Sequence, residues 1–180
     1  MKNIVLMGYR CTGKSSVGKR LSEKLNLTFF DSDDVIETQA GISIREMVNR
    51  DGWQVFRMKE KEVIEELASK RESIIATGGG AFEDHENRNI LKKNGLFIWL
   101  TADEETILTR LRADQKSIRQ RPSLSYGDLE TETATTLQQR NLVYRELADL
   151  TVDTSGKRFN EIVDEICNYL KGSDNRSNKT

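Results

Sequence analysis

The chain has 180 residues, 28 basic against 29 acidic side chains, a formal net charge of −1 and two cysteines. That length suits a single domain with one core. The balanced charge argues against nucleic acid as the main partner, and no apolar run approaches the roughly 20 residues that cross a bilayer. Cys11 and Cys167 lie far apart in dissimilar settings, which speaks against a disulfide framework. The apolar start at Ile4 is too short, and too soon interrupted by Arg10, for a signal peptide. A cytoplasmic protein acting on a small ligand is expected.

Ile4-Val5-Leu6-Met7 reads as a short buried strand. Gly8-Tyr9-Arg10-Cys11-Thr12-Gly13-Lys14-Ser15 follows and fits G-x-x-x-x-G-K-[ST]; Val17, Leu21 and Leu25 then recur at helical spacing. In a strand, loop and helix of this kind, backbone N–H groups and the positive end of the helix dipole converge on one spot, which favours a polyphosphate. Lys14 suits the outer phosphates and the Ser15 hydroxyl suits Mg²⁺. Cys11 sits beside a helix N-terminus, a setting that lowers a thiol pKa; a small residue filling space is the alternative.

Leu27-Thr28-Phe29-Phe30 reads as a second strand running into Asp31-Ser32-Asp33-Asp34. Carboxylates at the carboxyl end of a strand face the ligand edge of an open α/β sheet, while Asp is also a favoured helix cap, so one can cap while another meets a metal or substrate. Gly41 ends a short helix, Ser43 caps the next, and Trp53 to Leu67 forms an amphipathic helix with Trp53, Phe56, Val63, Ile64 and Leu67 as its apolar stripe. At about 100° per residue Arg57 lies at the edge of that stripe and Glu60 within it. They read as a structural i,i+3 pair or as Glu60 aiming Arg57 at an anion.

Ser73 to Ala76 is a third strand, ending in Thr77-Gly78-Gly79-Gly80. The glycines make either a tight turn or an edge where backbone touches a ligand directly. His85, in the polar run Glu83-Asp84-His85-Glu86, reads as a solvated helix start. A short helix around Ile90 and Leu91 stops at Gly95 as a C′ residue, and Leu96 to Leu100 is a fourth strand. This alternation implies an α/β fold with a parallel sheet and helices on both faces.

After a helix through Ile107, Leu108 and Leu111, residues 112–127 are polar and carry Arg119, Arg121, Pro122 and Gly127. They read as a mobile lid able to bring Arg121 over a transferring phosphate, or as an ordinary surface loop. In the next helix Leu137, Tyr144, Leu147 and Ala148 share a face from which Arg140 projects; an inward Arg needs an anion. Leu150-Thr151-Val152 is a fifth strand, and a last helix carries Phe159, Ile162, Val163, Ile166 and Leu170. Residues 172–180 are expected to form a disordered tail after a domain spanning 1–171.

These marks together, namely the phosphate loop, Phe30-Asp31-Ser32-Asp33, Phe56-Arg57, Gly78-Gly79-Gly80, Arg121-Pro122 and Arg140 with Tyr144, resemble the shikimate kinases, small P-loop kinases of the nucleoside-monophosphate-kinase fold group. The resemblance implies a three-layer fold with a five-stranded parallel sheet in the order 2-3-1-4-5, a substrate-binding segment at about 31–61 and a lid. It implies transfer of the γ-phosphoryl of ATP to the 3-hydroxyl of shikimate, on the route to chorismate and the aromatic amino acids. Catalytic roles then fall to Asp33, Lys14 and Arg121. Nucleotide binding falls to Cys11, Thr12, Gly13, Lys14, Ser15, Ser16, Arg110, Arg121 and Lys157, and acid binding to Asp33, Arg57, Gly79 and Arg140. Ser15 and Asp31 hold Mg²⁺. Family members are commonly monomers, so a monomer is expected. The family usually has a third glycine where this chain has Cys11, and often a proline where it has Leu142. The rivals are another small-molecule P-loop kinase, for gluconate or a nucleoside monophosphate, and a non-kinase nucleotide-binding module.

Overall fold

The computed structural model describes residues 2–114 and 128–177. Its strands are β1 (Asn3–Met7), β2 (Thr28–Asp31), β3 (Ser73–Ala76), β4 (Gly95–Thr101) and β5 (Leu150–Asp153). The helices are α1 (Lys14–Leu25), α2 (Ser32–Ala40), α3 (Ile44–Ser69), α4 (His85–Lys92), α5 (Glu104–Ala113), α6 (Leu129–Leu147) and α7 (Phe159–Ser177), with a 3-10 turn at Ala81–Glu83. All strand pairs are parallel, in the order β2-β3-β1-β4-β5.

β1 is apolar on both faces because it is the central strand of a sheet covered on both sides. Alternate side chains serve different layers. Ile4 and Leu6 join Val17 and Leu21 of α1 and Ile162 and Ile166 of α7, whereas Val5 and Met7 join Ile64 of α3, Leu91 of α4 and Tyr144 of α6. A third cluster packs Ile36 of α2 against Phe56, Val63 and Leu67 of α3 and Ile75 of β3. That last cluster places Arg57 and Glu60, on the same helix, over the end of the sheet.

The local differences from the sequence reading have physical causes. α3 begins at Ile44, capped as expected by Ser43 Oγ on the Glu46 N–H at 3.2 Å, and its break at Gly52 (φ 85, ψ 168) falls just before the expected Trp53 start, so the two stretches differ from the reading only in being continuous. The break turns the axis, so one apolar surface continues from Met47 to Leu67. Gly95 opens β4 instead of closing α4, whose C-cap is Lys93. α7 continues through Gly172 to Ser177, where a disordered tail was expected; an interior Gly costs a helix only about 1 kcal/mol relative to Ala, too little to stop it. The expected lid falls largely outside the described residues, and Arg121 with it; Arg112 and Ala113 close α5.

Candidate active site

Three segments of the site, the phosphate loop, the acidic segment and the glycine strip, lie at the carboxyl ends of β1, β2 and β3, the edge at which open parallel sheets bind ligands. After β1 comes the phosphate loop. Gly8 (φ 148) crosses so close to β4 that a Cβ there would overlap the Leu100 carbonyl. Gly13 (φ 93) occupies the N-cap of α1, and Cys11 (φ 59) takes the left-handed conformation as well. Lys14 Nζ lies back across the loop, donating to the carbonyls of Gly8 at 2.8 Å and Tyr9 at 2.7 Å. Buried Thr12 ties the loop to itself through Oγ1 on the Tyr9 carbonyl, 2.9 Å.

Arg110 clamps the loop from α5, donating to the Cys11 carbonyl at 3.2 Å and to both oxygens of Thr154 after β5. Lys157 pairs with Glu165 at 2.7 Å. Neither side chain lines the two cavities described below. The Cys11 thiol is pushed up from its ordinary pKa, first by burial and then by Asp114, whose Oδ2 lies 3.7 Å from Sγ. The lowering that a helix N-terminus can give is outweighed by partial burial and the neighbouring carboxylate, which favours the alternative of a small residue filling space.

After β2, Asp31 does two jobs. Its Oδ1 accepts the Asp33 N–H at 3.1 Å and caps α2, while its Oδ2 accepts from Ser15 Oγ at 2.5 Å. A hydroxyl and a carboxylate thus stand together at the mouth of the phosphate loop, with Asp33 two residues further on. After β3 comes the glycine strip, pinned at its first two residues. The Gly78 N–H donates to Ser32 Oγ at 2.9 Å, and the Tyr144 hydroxyl donates to the Gly79 carbonyl. Burial pushes the Tyr144 phenol far up, so it serves only as a neutral donor.

Two cavities meet at this edge. One is lined by the phosphate loop, Cys11, Gly13, Lys14, Ser15 and Ser16, together with Asp31. The other is lined by Gly78, Gly79 and Gly80, Arg57, Glu60 and Arg140. Arg10, Asp33 and Ile44 line both. The second cavity needs bare glycine backbone: a Cβ on Gly80 would lie 2.5 Å from Arg57 Nη2 and 3.1 Å from Arg140 Nη2, and one on Gly78 would lie 2.8 Å from Asp33 Oδ1.

The pocket's arginines each have their own carboxylate. Arg57 Nη1 donates to Glu60 Oε2 at 2.5 Å, Arg140 Nε to Glu83 Oε1 at 2.7 Å, and Arg10 Nη2 to Glu132 Oε1 at 2.6 Å. Glu60 is 1% exposed, and its other oxygen has no partner among the described residues. Burial pushes its carboxyl up, and Arg57 pulls it part of the way back. Aromatic rings flank the guanidinium groups: Trp53 and Phe56 lie 5.7 and 5.2 Å from the Arg57 centre, and Tyr9 lies 5.9 Å from that of Arg140.

Of the expected site residues, the structure therefore brings Asp33, Arg57, Gly79 and Arg140 around one cavity and Cys11 to Ser16 with Asp31 around the other, Thr12 lying beneath the loop. Sequence reading missed Arg10, Glu132, Glu83 and Ser32 as site-forming residues. Each acts through a partner distant in the chain, and the available signal was the place of Arg10 inside the phosphate loop and of Ser32 between Asp31 and Asp33.

A protein-family model described as shikimate kinase matches residues 10–171. The shikimate kinase of Syntrophus aciditrophicus (strain SB) is 45% identical over 173 residues, covering 92% of this chain and 89% of that protein. The one from Francisella tularensis subsp. holarctica (strain FTNF002-00 / FTA) is 40% identical over 170 residues, 94% of each chain. Among solved structures, shikimate kinase from Acinetobacter baumannii in complex with shikimate matches with a TM-score of 0.89 at 32% identity, over 96% of this chain and 94% of that one. A gluconokinase from Sinorhizobium meliloti 1021, with a TM-score of 0.58 at 19% identity over 99% of this chain and 97% of that one, shares the fold alone. With the sheet order, the phosphate loop and the arginine-lined cavity, these likenesses have one outcome: the chain belongs to the shikimate kinase family, ATP-dependent phosphotransferases of the shikimate pathway.

Proposed function

We propose that the two cavities hold the two substrates of shikimate phosphorylation, ATP over the phosphate loop and shikimate against the glycine strip, with Asp33 on the wall between them. The observation that carries this reading is that Asp33 lines both cavities. A carboxylate there accepts the proton of an alcohol entering from one side as a phosphoryl group arrives from the other. Arg57 and Arg140 take the acid's carboxylate, since guanidinium matches it in bidentate fashion. Gly79 offers backbone in place of a side chain, and Lys14 stabilises charge on the transferring group. Arg121 has the same role from outside the described residues. Arg110 and Lys157 act on the adenine side, Arg110 also bracing the loop through the Cys11 carbonyl.

Ser15 and Asp31 fit Mg²⁺. They are hard oxygen donors already in contact, and this ion is commonly held by one or two protein ligands plus phosphates and water. When bound, the ion neutralises charge on the phosphates. Phosphoryl transfer otherwise asks the protein for alignment and charge. The Asp31 bond to the Asp33 N–H and the Ser32 bond to Gly78 supply that alignment by fixing the first turn of α2 against the glycine strip.

The protein acts as a monomer in the cytoplasm. One chain supplies both cavity walls, its two cysteines are free, and no helix among the described residues is long and apolar enough to cross a membrane. The test is ADP release in a coupled assay with a panel of acceptors. Turnover is expected with shikimate and Mg²⁺, and little with gluconate or nucleoside monophosphates; equal turnover without any acceptor would leave a nucleotide hydrolase instead.

A further inference from the structure

Glu83 has no role in the reading above, yet its carboxylate faces both arginines of the acid pocket. It closes the 3-10 turn that follows the glycine strip. Its N–H donates to the Gly80 carbonyl at 3.0 Å and its carbonyl accepts from Arg88 Nη2 at 3.3 Å, so the backbone that presents it is anchored on both sides. Oε1 accepts from Arg140 Nε at 2.7 Å, and Oε2 stands 3.8 Å from Arg57 Nη2. Arg57 has Glu60 as well. Arg140, with a side chain 8% exposed, makes its one ion pair among the described residues with Glu83.

The atom that Glu83 engages decides what it does. A carboxylate on Nε sets the plane of the guanidinium and leaves the terminal Nη1/Nη2 edge to another acceptor. That edge lies along the glycine strip: a Cβ on Gly79 would sit 3.3 Å from Nη1 and one on Gly80 3.1 Å from Nη2. Resting on the reading of Arg57 and Arg140 as the clamp on the acid's carboxylate, we propose that Glu83 is a positioning residue of the acid site, holding Arg140 by Nε so that its terminal edge meets the carboxylate of a substrate bound against Gly79 and Gly80. Glu83 is about half exposed, so it neutralises Arg140 from the solvent side without filling the pocket.

Steady-state kinetics of the full chain, with shikimate and ATP varied separately, test this in Glu83→Ala and Glu83→Gln. Glu83→Ala is expected to raise KM for shikimate about tenfold, the scale of one lost charge-assisted hydrogen bond, and to leave KM for ATP within about twofold. Glu83→Gln, whose amide oxygen still accepts from Nε, is expected to recover most of the loss. An unchanged KM for shikimate in Glu83→Ala overturns the proposal, as does a lower one, which would mark Glu83 as an obstacle to the acid; so does an equal rise in both KM values. Arg140→Lys, measured alongside, separates the failures. If it raises KM for shikimate while Glu83→Ala does not, only the role of Glu83 falls; if neither variant changes it, the clamp itself is wrong and the proposal falls with it.

Discussion

Cys11 carries two costs that its place in the phosphate loop imposes. At φ 59 its Cβ crowds the following carbonyl, a conformation that glycine adopts freely, and its thiol is half-buried beside Asp114. Because the folded thiol pKa is raised, the group stays protonated through neutral pH and is a poor nucleophile there. The strain can be measured. Cys11→Gly is expected to be more stable than Cys11→Ala by about 1 kcal/mol in urea unfolding, since both remove the thiol and only one relieves the backbone; equal midpoints would mean that the left-handed conformation costs nothing at this position. At the same scale, Arg57, Glu60 and Arg140 were legible from sequence because each is a charge on an apolar helix face. Glu83 was not. It sits in a polar run with Asp84 and Glu86, where a carboxylate is ordinarily solvated, and its partner Arg140 lies 57 residues away.

At the scale of elements, five of the seven described α-helices begin on side-chain caps that settle their starts. Asp31, Ser43, Asp84, Asp103 and Asp128 each accept a backbone N–H from the first turn of the helix that follows. Asp103 accepts the Thr106 N–H at 2.6 Å, and with the Thr106 and Ser155 contacts this holds its carboxyl below the ordinary value of 3.8. The sign follows from linkage: a carboxylate with a lowered folded pKa contributes stability above its unfolded value, and that contribution is lost as pH falls through the folded value. Asp103→Asn keeps an acceptor at the cap but cannot titrate. Its urea midpoint is therefore expected to fall less than that of the wild type between pH 7 and pH 3; an identical fall would remove Asp103 from the acid sensitivity of the fold. Element identities were largely legible here because period and caps are local. The Gly95 strand start was not, since it depends on pairing between Asn3 and Gly95.

For the whole molecule, alternation of strands and helices made the parallel sheet legible, but the strand order came only with the family resemblance, because pairing β1 between β3 and β4 joins segments about 70 and 90 residues apart. The sheet matters to function through its edge. It delivers the phosphate loop, Asp31 and Asp33, and the glycine strip from three adjacent strands, and α3 and α6 then lay one arginine each against the last of these. Two ligands of different chemistry are thereby brought to a common wall, and Asp33 stands on it. Asp33→Asn keeps the size and the cap geometry of that wall while removing the proton acceptor. The direct measurement is kcat of this variant beside its affinity for ATP and for shikimate by equilibrium titration. A fall in kcat of about a hundredfold or more, with both affinities within several-fold of the wild type, is expected; near-normal turnover would take the proton transfer away from Asp33 and contradict the placement of the two substrates on either side of it.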